Sequence, residues 1–255
     1  MITEETLHKL AMMKLNGMES ALRAWMEKTS AASELTPLEL AGMLVDAEFT
    51  HRENKKLSSR LRTARFREQA CVEEIDWKHS RGVARTQIME LVNGDWVRLK
   101  QNLIVTGPTG IGKTFLSCAL GNKFCRDGNT VVFRRASRLF DELKQARGDG
   151  TYHAVLKRIA KAQLLVLDDF GLEALDGEAR HDLLEILEDR YGLSSTLVTS
   201  QLPTDKWHAL LKENNQADSI LDRLVHNARR LNLTGESLRK TRGQAGLTDK
   251  QPPAK

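Results

Sequence analysis

The sequence predicts an α/β fold, a parallel sheet flanked by helices, preceded by a small all-helical region. Three observations predict it. From about residue 70, short apolar runs alternate with helical segments. A glycine-rich loop at 107–114 stands between one such run and a helix. The first 68 residues carry helical periodicity instead.

In chain order, Leu7, Leu10, Ala11, Met18, Ala21, Leu22 and Trp25 recur at helical spacing and mark one apolar face. A break rich in Ser, Thr and Ala follows at 29–33. Thr36, Pro37 and Glu39 then fit the cap, first and third positions of a new helix. That helix can run on through a basic stretch, where Arg52, Lys56 and Arg60 share one face and Leu57, Leu61 and Ala64 hold another. Strands are expected at 102–106, 130–133, 164–167 and 196–199, and helices at 115–124, 137–147, 152–161 and 178–191. Beyond Asp218 the chain reads as helical and then basic, and 243–255 as a polar tail. The expected domains are therefore a helical one at 1–68, an α/β one at 69–242 and the tail at 243–255.

With 40% hydrophobic and 29% charged residues, the 255-residue chain has the composition of a soluble globular protein. It holds no apolar run long enough for a bilayer, and its first residues lack the pattern of a secretory signal, so a cytoplasmic protein is expected. Its three cysteines show no paired spacing, which points to reduced thiols and no metal site built on sulfur. The net charge of +5 is concentrated between residues 51 and 67, where Arg52, Lys55, Lys56, Arg60, Arg62, Arg65 and Arg67 face Glu53 alone. That segment is a candidate anion-binding surface.

The octapeptide Gly107-Pro108-Thr109-Gly110-Ile111-Gly112-Lys113-Thr114 has the composition that a phosphate-binding loop requires. Its glycines let successive N–H groups converge on phosphate oxygens, Lys113 can reach the β- and γ-phosphates, and Thr114 can ligate Mg2+. The helix that follows adds its N-terminal partial charge. The apolar run ending in Asp168 and Asp169 fits the second half of an ATP site, with Asp168 toward the metal and Asp169 polarising the attacking water. At the end of the next strand, Ser200 or Gln201 could meet the γ-phosphate or that water.

Taken together, these features resemble the AAA+ ATPases, and among them the helicase-loader group with DnaC, DnaI and the transposition helper IstB. The resemblance to IstB spans nearly the whole chain, from Leu10, Met18 and Leu22 through the phosphate loop to Asp222-Arg223-Leu224 and Ser237-Leu238-Arg239. It implies that Arg223 is an arginine finger reaching a neighbouring subunit's site, and that Arg239 is a second sensor near the γ-phosphate of its own subunit. A guanidinium suits both roles because it stabilises charge spread over phosphoryl oxygens. Most AAA+ members carry Glu at the position of Asp169, whereas the loader and IstB group commonly has the Asp-Asp pair.

Clustered cations give salt-sensitive, largely sequence-independent contacts to DNA phosphates. Arg52, Lys55, Lys56 and Arg60 are the candidate contacts, with Arg134 and Arg135 or Arg229 and Arg230 as alternatives. The resemblance implies duplex DNA as target, an IstA-like transposase as partner and a homo-oligomer that shares its ATP sites. Two rival readings are a DnaC-like helicase loader and an architectural DNA-coating protein in which nucleotide only stabilises the fold.

Overall fold

The computed structural model describes residues 2–27, 35–77, 81–212 and 215–238. The expected break at 29–33, Arg239 and the tail lie outside the described residues. Contacts divide the chain into two compact units, Met1–Ser59 and Arg60–Lys255.

In the first unit, α1 (Ile2–Met12) and α2 (Asn16–Glu27) are separate helices, although the apolar stripe reads as continuous in the sequence. The chain turns between them at Lys14, whose φ is 60°. α3 (Pro37–Ala64) begins as expected, with Thr36 and Glu39 forming a capping box: the Thr36 amide donates to Glu39 Oε2 at 2.7 Å and the Glu39 amide to Thr36 Oγ1 at 3.3 Å. Gly17 lets α2 approach α3 closely, since a Cβ there would lie 2.6 Å from Ala47 O. At that crossing Glu48, only 5% exposed, accepts from the Gly17 amide at 2.7 Å, the Met18 amide at 3.2 Å and Arg52 Nε at 2.7 Å. Burial would raise this carboxyl, but the bonds from Arg52, Met18 and Gly17 outweigh it and hold it below its ordinary value.

The last turn of α3 belongs to the second unit, so the contact division falls before residue 68. The reason is packing: Ala64 is fully buried, Arg60 Nη1 donates to Cys125 O at 3.4 Å, and Phe66 meets Phe133 edge-on at 6.2 Å. The chain continues through α4 (Arg85–Val92), α5 (Asp95–Arg98), β1 (Asn102–Thr106), α6 (Lys113–Arg126), β2 (Val131–Arg135), α7 (Ala136–Gly148), α8 (Tyr152–Ala160) and β3 (Leu164–Phe170). There follow α9 (Gly177–Arg190), β4 (Ser195–Ser200), α10 (Trp207–Leu210), α11 (Asn215–Val225) and β5 (Ala228–Asn232).

The strands form one parallel sheet in the order β2-β3-β4-β1-β5. The central strands are apolar on both faces because helices cover both; Leu103, Ile104, Val105, Leu164 to Leu167, Leu197 and Val198 are all buried. The four expected strands are present, and β5 is a fifth that the sequence hid. It is an edge strand reading Ala-Arg-Arg-Leu-Asn, of which only Leu231 is buried. Arg229 Nε donates to Gln101 Oε1 at 2.9 Å, so this basic stretch serves as sheet as well as surface. In such a sheet, ligands sit outside the carboxyl ends of the strands. No described helix is long and apolar enough to cross a membrane.

Candidate active site

A cavity of about 430 Å³ opens at those carboxyl ends, within the size range of small-molecule sites. The phosphate loop forms one wall. Gly110 and Gly112 have φ of 83° and 98°, a left-handed backbone that glycine adopts at little cost. A Cβ on Gly107 would collide with Leu233 O, and one on Gly110 with the Ser237 hydroxyl. The chain after β5 is thus pressed onto the loop, and the Leu238 amide donates to Gly110 O at 3.0 Å. α6 starts immediately at Lys113, placing its first amides at the cavity floor. Lys113 is 5% exposed and its Nζ donates to Gly107 O at 2.7 Å and Pro108 O at 2.9 Å. The ammonium therefore stands at the mouth of the glycine cradle.

Facing the loop, β3 and β4 fall out of step between Leu167 and Phe170, so that Asp168 and Asp169 together oppose Thr199. Asp169 takes the left-handed conformation, φ 59°, which Asp tolerates better than most side chains. One hydroxyl serves both acids: Thr199 Oγ1 donates to Asp168 Oδ1 at 2.6 Å and accepts from the Asp169 amide at 3.0 Å. Asp168 is fully buried, and Thr114 Oγ1 lies 3.1 Å and 3.0 Å from its two oxygens. Burial pushes the Asp168 carboxyl above its ordinary value and the Asp169 charge adds to this, while the Thr199 and Thr114 hydroxyls and the Arg67 guanidinium pull the other way.

Asp169 is turned toward cations. Arg135, at the end of β2, donates to its Oδ2 from Nε at 3.2 Å and Nη2 at 2.7 Å, and Arg67 Nη1 stands 3.6 Å from the same oxygen. Of the two strand-end candidates, Gln201 lines the cavity and accepts from Thr109 Oγ1 at 2.7 Å. Ser200 is buried and donates to Phe170 O at 2.7 Å. Glu68, Glu74, Asp76, Arg81 and Leu238 complete much of the wall.

The chemistry of this donor set fits a nucleoside triphosphate with a divalent ion. The left-handed glycines leave loop amides free of side chains to face phosphates, and a hydroxyl and a carboxylate stand together as hard oxygen ligands suited to Mg2+. Arg223 is elsewhere. Asn102, the first residue of β1, donates to Arg223 O at 2.8 Å, which puts Arg223 at the amino ends of the strands. Its Nη2 donates to Glu188 Oε1 at 2.9 Å and its Nη1 to Ser219 O at 3.1 Å.

Along α3, Arg52 pairs with Glu48 and Lys56 with Glu53. Arg52, Lys55 and Lys56 are exposed, whereas Arg60 is half-buried on Cys125 O. Arg134 is buried on Glu142, and the part-exposed Arg135 pairs with Asp169 at the cavity. The sequence did not single out Thr199, and it counted Arg67 and Arg135 only as surface cations. A hydroxyl two residues before Gln201 on the same strand end was the available signal for Thr199. The two arginines reach Asp169 only through the tertiary fold.

Comparison with known proteins gives concordant results. The profile of the family described as IstB-like ATP binding protein matches residues 8–245. An insertion-sequence ATP-binding protein of Sinorhizobium fredii is 48% identical over 240 residues, covering 94% of this chain and 98% of its own length. The ATP-binding protein of insertion sequence IS21 from Pseudomonas aeruginosa is 30% identical, covering 94% of this chain and 91% of its own. Among solved structures, DnaI superposes with a TM-score of 0.56 at 23% identity, over 69% of this chain and 94% of that one. The DnaC helicase loader superposes with a TM-score of 0.52 at 21% identity, over 62% and 98% respectively. These structures share the AAA+ P-loop fold.

Proposed function

The chain belongs to the IstB-like ATP-binding family, and from that premise we propose that it hydrolyses ATP while assembling on duplex DNA as the helper of an insertion-sequence transposase. The observation that carries the hydrolytic part is the convergence of Lys113, Thr114 and Asp169 on one cavity, with the buried Asp168 behind Thr114 at 3.0 Å from its Oγ1.

In this reading the loop amides and Lys113 bind the β- and γ-phosphates. Thr114 and Asp168 would hold Mg2+, which when bound neutralises phosphate charge. Asp169 polarises a water that attacks the γ-phosphorus as the bond to the bridging oxygen breaks, releasing ADP and phosphate. Arg135 fixes the direction of the Asp169 carboxylate. Gln201, tied to Thr109, orients groups at the same end of the cavity. Arg239 is assigned to the γ-phosphate from the family resemblance alone.

Arg223 belongs to a neighbouring subunit's site in this scheme. β1 has five residues, and at about 3.3 Å each its two ends are roughly 15 Å apart. The Arg223 side chain cannot span that length to its own Lys113, which favours a shared site in an oligomer. Arg52, Lys55 and Lys56 on α3 supply DNA phosphate contacts; Arg60 contributes less because it is bonded within its own unit.

The test is ATPase rate and particle mass, measured with and without duplex DNA, in ATP and in ADP. The proposal expects larger particles and faster hydrolysis with DNA and ATP together, both lost in Lys113→Ala. If Lys113→Ala binds DNA and assembles as the parent does, nucleotide has only a structural role and the proposal fails. Capture of a hexameric replicative helicase without any transposase binding would place the protein among helicase loaders instead.

A further inference from the structure

We propose that Arg67 is a ligand of the terminal phosphate, supplied in cis from the chain that leaves α3, outside the phosphate loop and β strands; the inference rests on reading the cavity as an ATP site. Arg67 lines that cavity beside Lys113, Thr114 and Asp169. Among the described residues the carboxylate within ion-pair distance is Asp169, at 3.6 Å, which exceeds hydrogen-bond length. The Asp169 oxygen nearest Arg67 already accepts two bonds from Arg135, so one carboxylate oxygen faces two guanidiniums and Arg67 is the one without a hydrogen bond to it. Loosely held cations of this kind, aimed at an enclosed space, are poised for an anion.

The root of the residue is fixed while its head is free to turn. Phe66 is wedged between Phe133 and Gly121, where a Cβ would lie 2.5 Å from the Phe66 ring, and the Arg67 side chain itself is 37% exposed. A guanidinium so placed can rotate from Asp169 to phosphate oxygens with little backbone movement, and its planar fork suits them. The contact is specific for the terminal phosphate because Arg67 stands beside the acid assigned to the attacking water. A diphosphate would leave it on Asp169. Relief of Arg67 from Asp169 by the triphosphate would also leave that acid with Arg135 alone.

The experiment compares the affinity of the full-length protein for Mg2+ with a non-hydrolysable ATP analogue and with ADP, by titration calorimetry, in the parent, Arg67→Ala, Arg67→Lys and Lys113→Ala. Arg67→Ala is expected to weaken the analogue about tenfold or more while ADP stays within about twofold, since a bond to a charged group is being lost. Arg67→Lys should recover part of the loss. Retained ADP affinity reports that the variant is folded. If Arg67→Ala weakens both nucleotides equally, or neither, the inference is overturned. The ATP-site reading has its own control: a parent that binds neither nucleotide, or a Lys113→Ala variant that binds both as tightly, refutes that reading itself.

Discussion

Replacing Thr199 with valine keeps the side-chain volume and removes one hydroxyl, and the structure says what that hydroxyl holds. It donates to the fully buried Asp168 at 2.6 Å and accepts from the Asp169 amide at 3.0 Å. Asp168 keeps the Thr114 hydroxyl but loses its shorter bond, and the part-buried Asp169 amide loses its side-chain acceptor. A hydrogen bond to a charged group contributes about 1.5–3 kcal/mol and one to a neutral amide about 0.5–1.5 kcal/mol, so a loss of roughly 3 kcal/mol follows. For a unit of this size, each kcal/mol lowers Tm by about 2–4 °C, so the expected fall is about 6–12 °C. The loss should depend on pH. Burial already raises the Asp168 carboxyl, meaning that the folded chain holds this proton more tightly than the unfolded one. The penalty for ionising it sets in as pH rises past the ordinary Asp value and is complete above the folded one. Removing a bond that favours the ionised form deepens this penalty. The difference between parent and variant should thus be widest at pH 8 and narrow as pH falls toward 4.5. Thermal unfolding followed by circular dichroism reads both quantities. A Tm within 2 °C of the parent at pH 8, or a gap that stays constant with pH, would refute the reasoning that this hydroxyl supports the two acids.

Three other outcomes are expected. Neutralising Arg52, Lys55 and Lys56 together should flatten the dependence of log Kd for duplex DNA on log salt by about 2.7, the value for three phosphate contacts, in a filter-binding series; an unchanged slope moves the contacts elsewhere. Arg223→Ala should abolish hydrolysis but spare nucleotide binding, and mixing it with Asp169→Asn should restore some activity at hybrid interfaces; no recovery at any ratio contradicts a shared site. The Glu48 carboxyl sits below its ordinary value, so its stabilisation is present above the unfolded Glu value and lost as pH falls through the folded one. Hydrogen exchange at the Gly17 and Met18 amides should show protection falling over that range in the parent, and Glu48→Gln should remove the pH dependence; equal protection in both proteins would contradict the role.

Legibility in the sequence followed the physical constraint at each place. The phosphate loop was readable because its demands are local: Gly110 and Gly112 need left-handed backbone, and Lys113 and Thr114 must follow at fixed positions. The central strands were readable because burial on both faces leaves continuous apolar runs such as 164–167. β5 was not, since an edge strand need bury little and Arg229 and Arg230 mask its pattern. The split between α1 and α2 was also hidden, because Lys14 reaches a positive φ without a glycine to announce it. The service of Thr199 to two acids depends on the step in register between β3 and β4, which no periodicity in either strand encodes. Arg67 and Arg135 meet Asp169 from distant parts of the sequence, where only the assembled sheet brings them together.

The arginines of this chain differ in how firmly they are held, and that difference orders their roles. Arg135 gives two bonds to Asp169 and ends a strand, so it is suited to fixing an orientation. Arg67 touches the same acid at 3.6 Å from a part-exposed position, and Arg223 holds a half-exposed Glu188 at 2.9 Å. The Arg67 contact is longer than a hydrogen bond and Arg223 makes a single bond to Glu188, so either guanidinium can exchange its carboxylate for a phosphate. Their locations then decide which phosphate. Arg67 lies in the cavity of its own subunit, and Arg223 lies at the other end of the sheet, where only a nucleotide held by another subunit could meet it. A triphosphate would therefore draw one arginine from within the chain and one from outside it. On the proposed function, assembly and hydrolysis would be linked because neither arginine alone surrounds the transferring group.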